Sequence, residues 1–165
     1  EAEPLYVSCL EMRKSVLGSN HPDTLGSINN LAWLYERRGK YDEAEPLYVS
    51  CLEMRKSVLG SNHPDTLGSM YNLAWLYESQ GKYDEALEMW DQALSIYTRA
   101  LGIDNRENAY LHYSMGMVKA ISGDTEGAVE SLRESVRIYS KLNISDAKSQ
   151  SAIEALSRLE GQLPG

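Results

Sequence analysis

The chain contains no phenylalanine, so its aromatic volume rests on 11 tyrosines and 3 tryptophans. Two cysteines, Cys9 and Cys51, are too few for a disulfide framework. They stand one period apart in apolar helix faces and are expected as free, buried thiols of a reducing compartment. Basic charge is in deficit, with 16 Lys and Arg against 24 Asp and Glu and a net charge of −8. That balance argues against binding nucleic acid, which needs a basic face. No Lys/Arg cluster offers an anchor to an anionic membrane surface. There is no apolar run of membrane-spanning length and no secretory leader, so a cytoplasmic location is expected. Without such a leader, the acceptor pattern Asn143-Ile144-Ser145 reads as chance. A Gly-rich phosphate loop, a nucleophile–base grouping and metal-ligand spacing are all missing, so no enzyme activity, cofactor or metal is expected.

What is present is repetition. Glu1–Asp42 and Glu43–Asp84 are the same 42-residue text, differing only at Ile28/Met70, Asn29/Tyr71, Arg37/Ser79 and Arg38/Gln80. The register continues more weakly through Glu85–Glu126 and a shortened, more polar Gly127–Gly165. A fixed period of this length marks a repeat array, in which each unit buries its apolar face against its neighbours.

Within each period the apolar spacing is helical. Ala2, Leu5, Tyr6, Cys9, Leu10 and Val16/Leu17 make Glu1–Leu17 one amphipathic helix, ended by Gly18 as Gly60 and Gly102 end its counterparts. His21-Pro22-Asp23 opens the next helix, roughly Asp23–Arg38, which stops at Gly39. Asp42 with Glu45 has capping-box character, and Pro46 is expected within the first turn of the following helix. Further helices are expected at about Asp65 to Leu101 (a pair), Arg106–Ser122, Thr125–Leu142 and Asp146–Leu159. The expected fold is all-α, a right-handed α-solenoid of antiparallel helix pairs with about eight helices in one domain over 1–165. Residues 1–18 form an orphan second helix, 19–60, 61–102 and 103–142 form pairs, and 143–165 form a capping helix and tail.

Each pair turns on one grammar. It reads Leu31-Ala32, Tyr35, Gly39, Tyr41, Ala44, Tyr48, Cys51-Leu52 in the first, and Leu73-Ala74, Tyr77, Gly81, Tyr83, Ala86, Trp90, Ala93-Leu94 in the second. The third reads Met115-Gly116, Lys119, Gly123, Thr125, Ala128, Leu132, Ser135-Val136. Small residues let two helices approach and large ones at i+3/i+4 fill the seam. Lys119 and Thr125 break the aromatic positions, so the third pair is expected to pack less tightly.

This spacing resembles the tetratricopeptide repeat, whose usual period is about 34 residues. The longer period, the Leu-Gly ending, the His-Pro-Asp opening and the Asn-Leu-Ala core (Asn30-Leu31-Ala32, Asn72-Leu73-Ala74) are similar to the long-helix variety found in kinesin light chains. The resemblance is strong over Glu1 to about Leu101, moderate to Leu142 and weak beyond. It implies a superhelical stack with a concave side lined by the first helix of each pair, and an adaptor or sensor array that binds peptides.

If Leu31 and Tyr35 face the partner helix, the groove face is offset from them by about 100° per residue. That offset selects Gly26, Asn29, Asn30, Trp33, Glu36 and Arg37, then Gly68, Tyr71, Asn72, Trp75, Glu78 and Ser79, then Tyr110, Tyr113, Ser114, Met117 and Ile121. An amide presents a donor and an acceptor, so Asn30 and Asn72 could clamp a peptide backbone, as the resemblance implies, or simply tidy a neighbouring helix. The tryptophans, tyrosines and Met117 are suited to be binding anchors, and Trp33 and Trp75 equally to pack between successive first helices. The His-Pro-Asp pairs place a His beside a carboxylate, but duplicate copies one period apart read better as loop and cap than as catalysis.

The expected function is protein–protein recognition of a peptide segment, neutral or basic rather than acidic, because Arg37 is the one basic residue selected for the groove. The alternative is a structural spacer or self-assembling scaffold without a peptide ligand. A homodimer, if one forms, is expected through the N-terminal helix, whose apolar stripe lacks a partner.

Overall fold

The computed structural model describes residues 3–162. Among them are eight helices and no strand: α1 (Glu3–Leu17), α2 (Pro22–Arg37), α3 (Tyr41–Leu59), α4 (Pro64–Ser79), α5 (Tyr83–Leu101), α6 (Arg106–Ser122), α7 (Thr125–Lys141) and α8 (Ala147–Glu160). The expected helices therefore form within a residue or two of their expected ends. The expectations for Glu1, Ala2 and the tail 163–165 lie outside the described residues. The helices fall into two compact units, Glu1–Gly81 with α1 to α4 and Lys82–Gly165 with α5 to α8.

Local chemistry sets the helix starts. His21 and His63 are N-caps in extended conformation, and each Nδ1 accepts the backbone N–H of Asp23 (3.2 Å) or Asp65 (3.1 Å). The proline that follows sits where an N–H would be unpaired anyway, and the aspartate faces the positive end of the helix. The duplicated His-Pro-Asp is thus a helix-starting device. The expected capping box at Asp42 and Glu45 does not form. α3 begins two residues earlier than a cap at Asp42 would set, at Tyr41, with Lys40 as an N-cap that makes no side-chain bond, so Asp42 lies inside the first turn. For the same reason Pro46 falls inside α3 instead of in its first turn. Its ring is on the exposed side, where the carbonyl left without a donor can reach solvent. At the far end Gly60 adopts φ 89°, a left-handed conformation that side chains disfavour.

In the first unit, Leu10, Leu25, Ile28, Leu31 and Cys51 form one core cluster, with Tyr35 and Leu47 packed on it. The Tyr48 hydroxyl donates to Glu36 Oε2 at 2.8 Å, and burial with this bond pushes the phenol's pKa well up. Arg13 clips α1 to the start of α2 through the Asp23 carbonyl (2.9 Å) and Ser27 Oγ (2.9 Å). Arg55 repeats the clip between α3 and α4 on the Asp65 carbonyl (2.8 Å) and Ser69 Oγ (2.9 Å).

The two cysteines part company. Cys51 is fully buried and its thiol donates to the Leu25 carbonyl at 3.3 Å. Cys9, expected to be buried, is exposed. Both sit in the same helical text, but α3 packs against α2 and α4, whereas α1, among the described residues, packs chiefly against α2.

In the second unit Ser135 takes the role of Cys51 and donates to the Ala109 carbonyl at 2.7 Å. Ala128, Val129 and Leu132 of α7 pack with Ala155 and Leu159 of α8, and Ala109 of α6 with Ile138, Tyr139 and Ala152. Asp146 caps α8 in a full capping box with Ser149. Asp104 bonds Arg137 and Lys141, which hold its carboxyl below the usual range. The third pair does not pack loosely within itself. At Gly116 a Cβ would lie 2.8 Å from Leu132 Cγ and 3.2 Å from the Ala128 carbonyl oxygen, so α6 and α7 approach closer than a side chain at this site allows. A cleft of about 650 Å3 opens instead between this pair and α5, and Lys119, in place of an aromatic, is among its lining residues.

Two outcomes follow from this packing. A thiol reagent should label Cys9 at once and Cys51 only on unfolding, because burial both covers Cys51 and raises its thiol pKa. Labelling of both at equal rates in the folded protein would contradict it. Gly68→Ala, with nothing within 4 Å of the added carbon, should stabilise by about 0.5–1 kcal/mol in urea melts. Gly116→Ala has the same helical gain but overpacks the seam, for a net loss of about 1 kcal/mol.

Candidate functional site

The first helix of each pair is anchored by its N-cap, so positions are best counted from His21, His63, Asn105 and Asp146. On this count Asn29, Tyr71, Tyr113 and Glu154 are equivalent, as are Asn30, Asn72, Ser114 and Ala155, and Trp33, Trp75, Met117 and Arg158.

In the first unit, α2 and α4 lie side by side, and Asn72 Nδ2 donates to Asn29 Oδ1 at 3.0 Å. The bond depends on one of the four differences between the twin repeats, since a tyrosine at 29 would offer no amide oxygen. Asn72 keeps its own oxygen and a second N–H for another partner, and Asn30 is exposed with its whole amide available to solvent. Trp33 and Trp75 are 50% and 44% exposed, so neither is absorbed by packing between the helices. The Arg37 guanidinium lies 6.0 Å from the centre of the Trp33 ring, a cation–π contact. Ser79 is exposed and Tyr71 half-buried. Glu78 is partly buried, which raises its carboxyl pKa.

In the second unit, Tyr113 and Met117 of α6 form a cleft of about 420 Å3 with Ser151, Glu154, Ala155 and Arg158 of α8. Tyr110 stands beside it, 6.5 Å from Tyr113 between ring centres, with Lys148 Nζ 3.5 Å above its ring. The structure therefore gathers Tyr110, Tyr113 and Met117 in the second unit, and Asn29, Asn72 and the two tryptophans in the first.

The α8 side chains Lys148, Ser151, Glu154 and Arg158 are absent from the sequence-derived set. A strict 42-residue step misplaces them, because Asn105 and Asp146, the two caps, are one residue closer than a full period. Counting from the cap puts Ser151, Glu154, Ala155 and Arg158 on the same face as Tyr110, Tyr113, Ser114 and Met117. Asp146 with Ser149, the capping box, was the available signal.

Chemically the two faces offer half-exposed aromatic and sulfur surface beside amides and a few charges of both signs. His21 and His63 are committed to caps through Nδ1. Among the described residues no cluster of three or more His, Cys, Asp or Glu could hold a metal, and no helix is long and apolar enough to cross a membrane.

Comparison with known proteins agrees with this geometry. No curated protein matches the sequence. A kinesin-light-chain candidate from Podosopora anserina, with nearly identical TPR-like repeats, is similar in structure with a TM-score of 0.83 and 27% identity, over 98% of this chain and 79% of that one. BtubC (BKLC) from P. vanneervenii shares the fold with a TM-score of 0.74 and 20% identity, over 99% of this chain and 75% of that one. PcrH, solved in complex with the chaperone-binding region of PopD, shares it with a TM-score of 0.65 and 15% identity, over 86% of this chain and 95% of that one. The tetratricopeptide repeat model matches residues 1–57, 35–89 and 77–141. The chain belongs to the tetratricopeptide repeat family.

Proposed function

We propose that this protein binds a peptide segment of a partner protein on the faces of its first helices. The observation that carries the reading is the pair Trp33 and Trp75. Two large aromatic side chains stand about half exposed at equivalent positions, flanking the bonded amides of Asn29 and Asn72. Leaving that much indole in water is unfavourable unless a ligand covers it. PcrH, of like fold, holds a segment of PopD, which supports a peptide as the class of ligand.

Asn30 and Asn72 serve as backbone clamps in this reading, and Trp33, Trp75, Tyr71, Tyr110, Tyr113 and Met117 as the apolar floor. Charge on these faces is close to balanced. Arg37, Lys148 and Arg158 stand against Glu154 and Glu78, and Glu36 is engaged by Tyr48. The ligand is therefore a mainly apolar, near-neutral segment; α8 adds cations that weaken the case for a basic one.

One observation favours self-association as a second reading. α1 exposes Leu5 (72%), Met12 (64%) and Val16 (73%), and a second copy could cover them. Sedimentation velocity across a concentration series should then show a dimer that Leu5→Glu abolishes; a monomer throughout removes this reading.

A peptide-library screen tests the main one. Asn30→Ala with Asn72→Ala removes two clamps at about 1 kcal/mol each, which should weaken a selected peptide about tenfold or more. Trp33→Ala with Trp75→Ala should cost more than that. Selected peptides that bind all variants equally would place recognition elsewhere on the chain.

A further inference from the structure

The cleft of about 650 Å3 between α5, α6 and α7 lies away from the Tyr113–Met117 face, and its lining carries a pattern the repeat grammar does not explain. Ile28, Tyr35 and Leu47 all belong to one apolar cluster in the first unit. Their equivalents one period on are Met70, Tyr77 and Met89, and two periods on they are His112, Lys119 and Ser131. Three seam positions have exchanged apolar or aromatic side chains for an imidazole, an ammonium and a hydroxyl, and all three line this one cleft. Polar groups placed at seam positions cost stability unless something recovers their hydrogen bonds.

The groups are only partly used within the protein. Lys119 Nζ donates to Ser131 Oγ at 3.1 Å, and Ser131 passes its own proton to the Gly127 carbonyl at 2.9 Å. Ser131 therefore fixes the ammonium in place and leaves its other protons free to turn to the cleft. His112 makes no side-chain hydrogen bond among the described residues. Burial holds its imidazole below the ordinary value, against the pull of Glu134, so the ring is neutral at pH 7 with one donor and one acceptor. Arg137 is occupied by Glu134 and Asp104, and Arg133 by Glu160. Asp91 of α5 and Glu130 of α7 line the walls without an ion-pair partner among the described residues.

We propose that this cleft binds a small zwitterion of the α-amino-acid class. Its carboxylate meets the Lys119 ammonium and the His112 ring, and its ammonium meets Asp91 and Glu130. A cleft of this size lies in the range of small-molecule sites, and charges of both signs among its lining residues favour a ligand that also carries both. A simple anion would have to approach Asp91 and Glu130, and a simple cation would have to approach Lys119.

The test uses the whole chain and proton NMR of the imidazoles, of which there are three, His112 being assigned by its loss in His112→Gln. Free L-α-amino acids are titrated to about 10 mM, enough to saturate a millimolar site, beside acetate and methylammonium chloride. At least one amino acid should shift the His112 resonance saturably, while acetate and methylammonium do so at least tenfold more weakly. Lys119→Met should weaken the binding at least tenfold. Glu130→Gln, an exposed position that folding does not depend on, should weaken it as well and decides the matter if Lys119→Met is unstable. No saturable shift with any amino acid, equal binding of acetate alone, or unchanged binding in Glu130→Gln would overturn the proposal. None of these outcomes bears on peptide binding at Trp33 and Trp75.

Discussion

Burial of one helix by both of its neighbours is the condition on which everything else here depends. The chain contains its own control. The text EPLYVSCLEMRKSVL occurs as α1 and again within α3, with the same propensities and the same apolar stripe. In α3, held between α2 and α4, Tyr48 and Cys51 reach 0% exposure. In α1, covered chiefly by α2, Leu10 is the buried residue at 5% exposure, and Leu5, Cys9, Met12 and Val16 face water. A buried Leu-sized side chain is worth about 1.5–3 kcal/mol, so the difference between the two settings outweighs any local preference of the helix. Stability in such an array belongs to interfaces between helices and only secondarily to the helices.

The same condition explains what could be read from the sequence. Periodicity and small–large alternation are printed in the text, and they define eight helices and their order because each unit must present the same seam to the next. His21 and His63 were legible as caps because both copies occur at the same place before a proline. Cys9 was not legible as exposed, since nothing in its own helix differs from that around Cys51; its environment is a property of a neighbour. The Asp42 box failed for a local reason, as Tyr41 already joins the helix and the cap falls to Lys40.

The candidate site was legible in part for a geometric reason. A helical offset from Leu31 and Tyr35 finds the side of α2 and α4 that carries Trp33, Trp75 and the amides, because those two helices are copies of one another. It could not find that Asn72 reaches Asn29 and not its own equivalent, Asn30, since that bond arises from the stagger between α2 and α4. Nor could it reach α8, where the shortened last repeat shifts the register by one residue and hides Ser151, Glu154 and Arg158 under a capping role.

Divergence from the twin repeats is the remaining guide, and it sorts into two kinds. Substitutions that keep the seam apolar, such as Ile28 to Met70 or Tyr48 to Trp90, preserve packing with an altered shape. Substitutions that make the seam polar need separate support. Ser135 for Cys51 has it, since the hydroxyl donates to the Ala109 carbonyl as the thiol does to that of Leu25. Leu132 for Tyr48 instead makes the seam more apolar and smaller, and Gly116 lets α6 close on it. His112, Lys119 and Ser131 find only one bond between them and a short link back to their own helix. The absence of phenylalanine sharpens the contrast. Tyrosine at 35 carries a hydroxyl that Glu3 can accept while its ring fills the seam, and lysine in its place offers charge without that volume. A cleft is the physical result. Along its polar lining the repeat has given up packing without closing the gap.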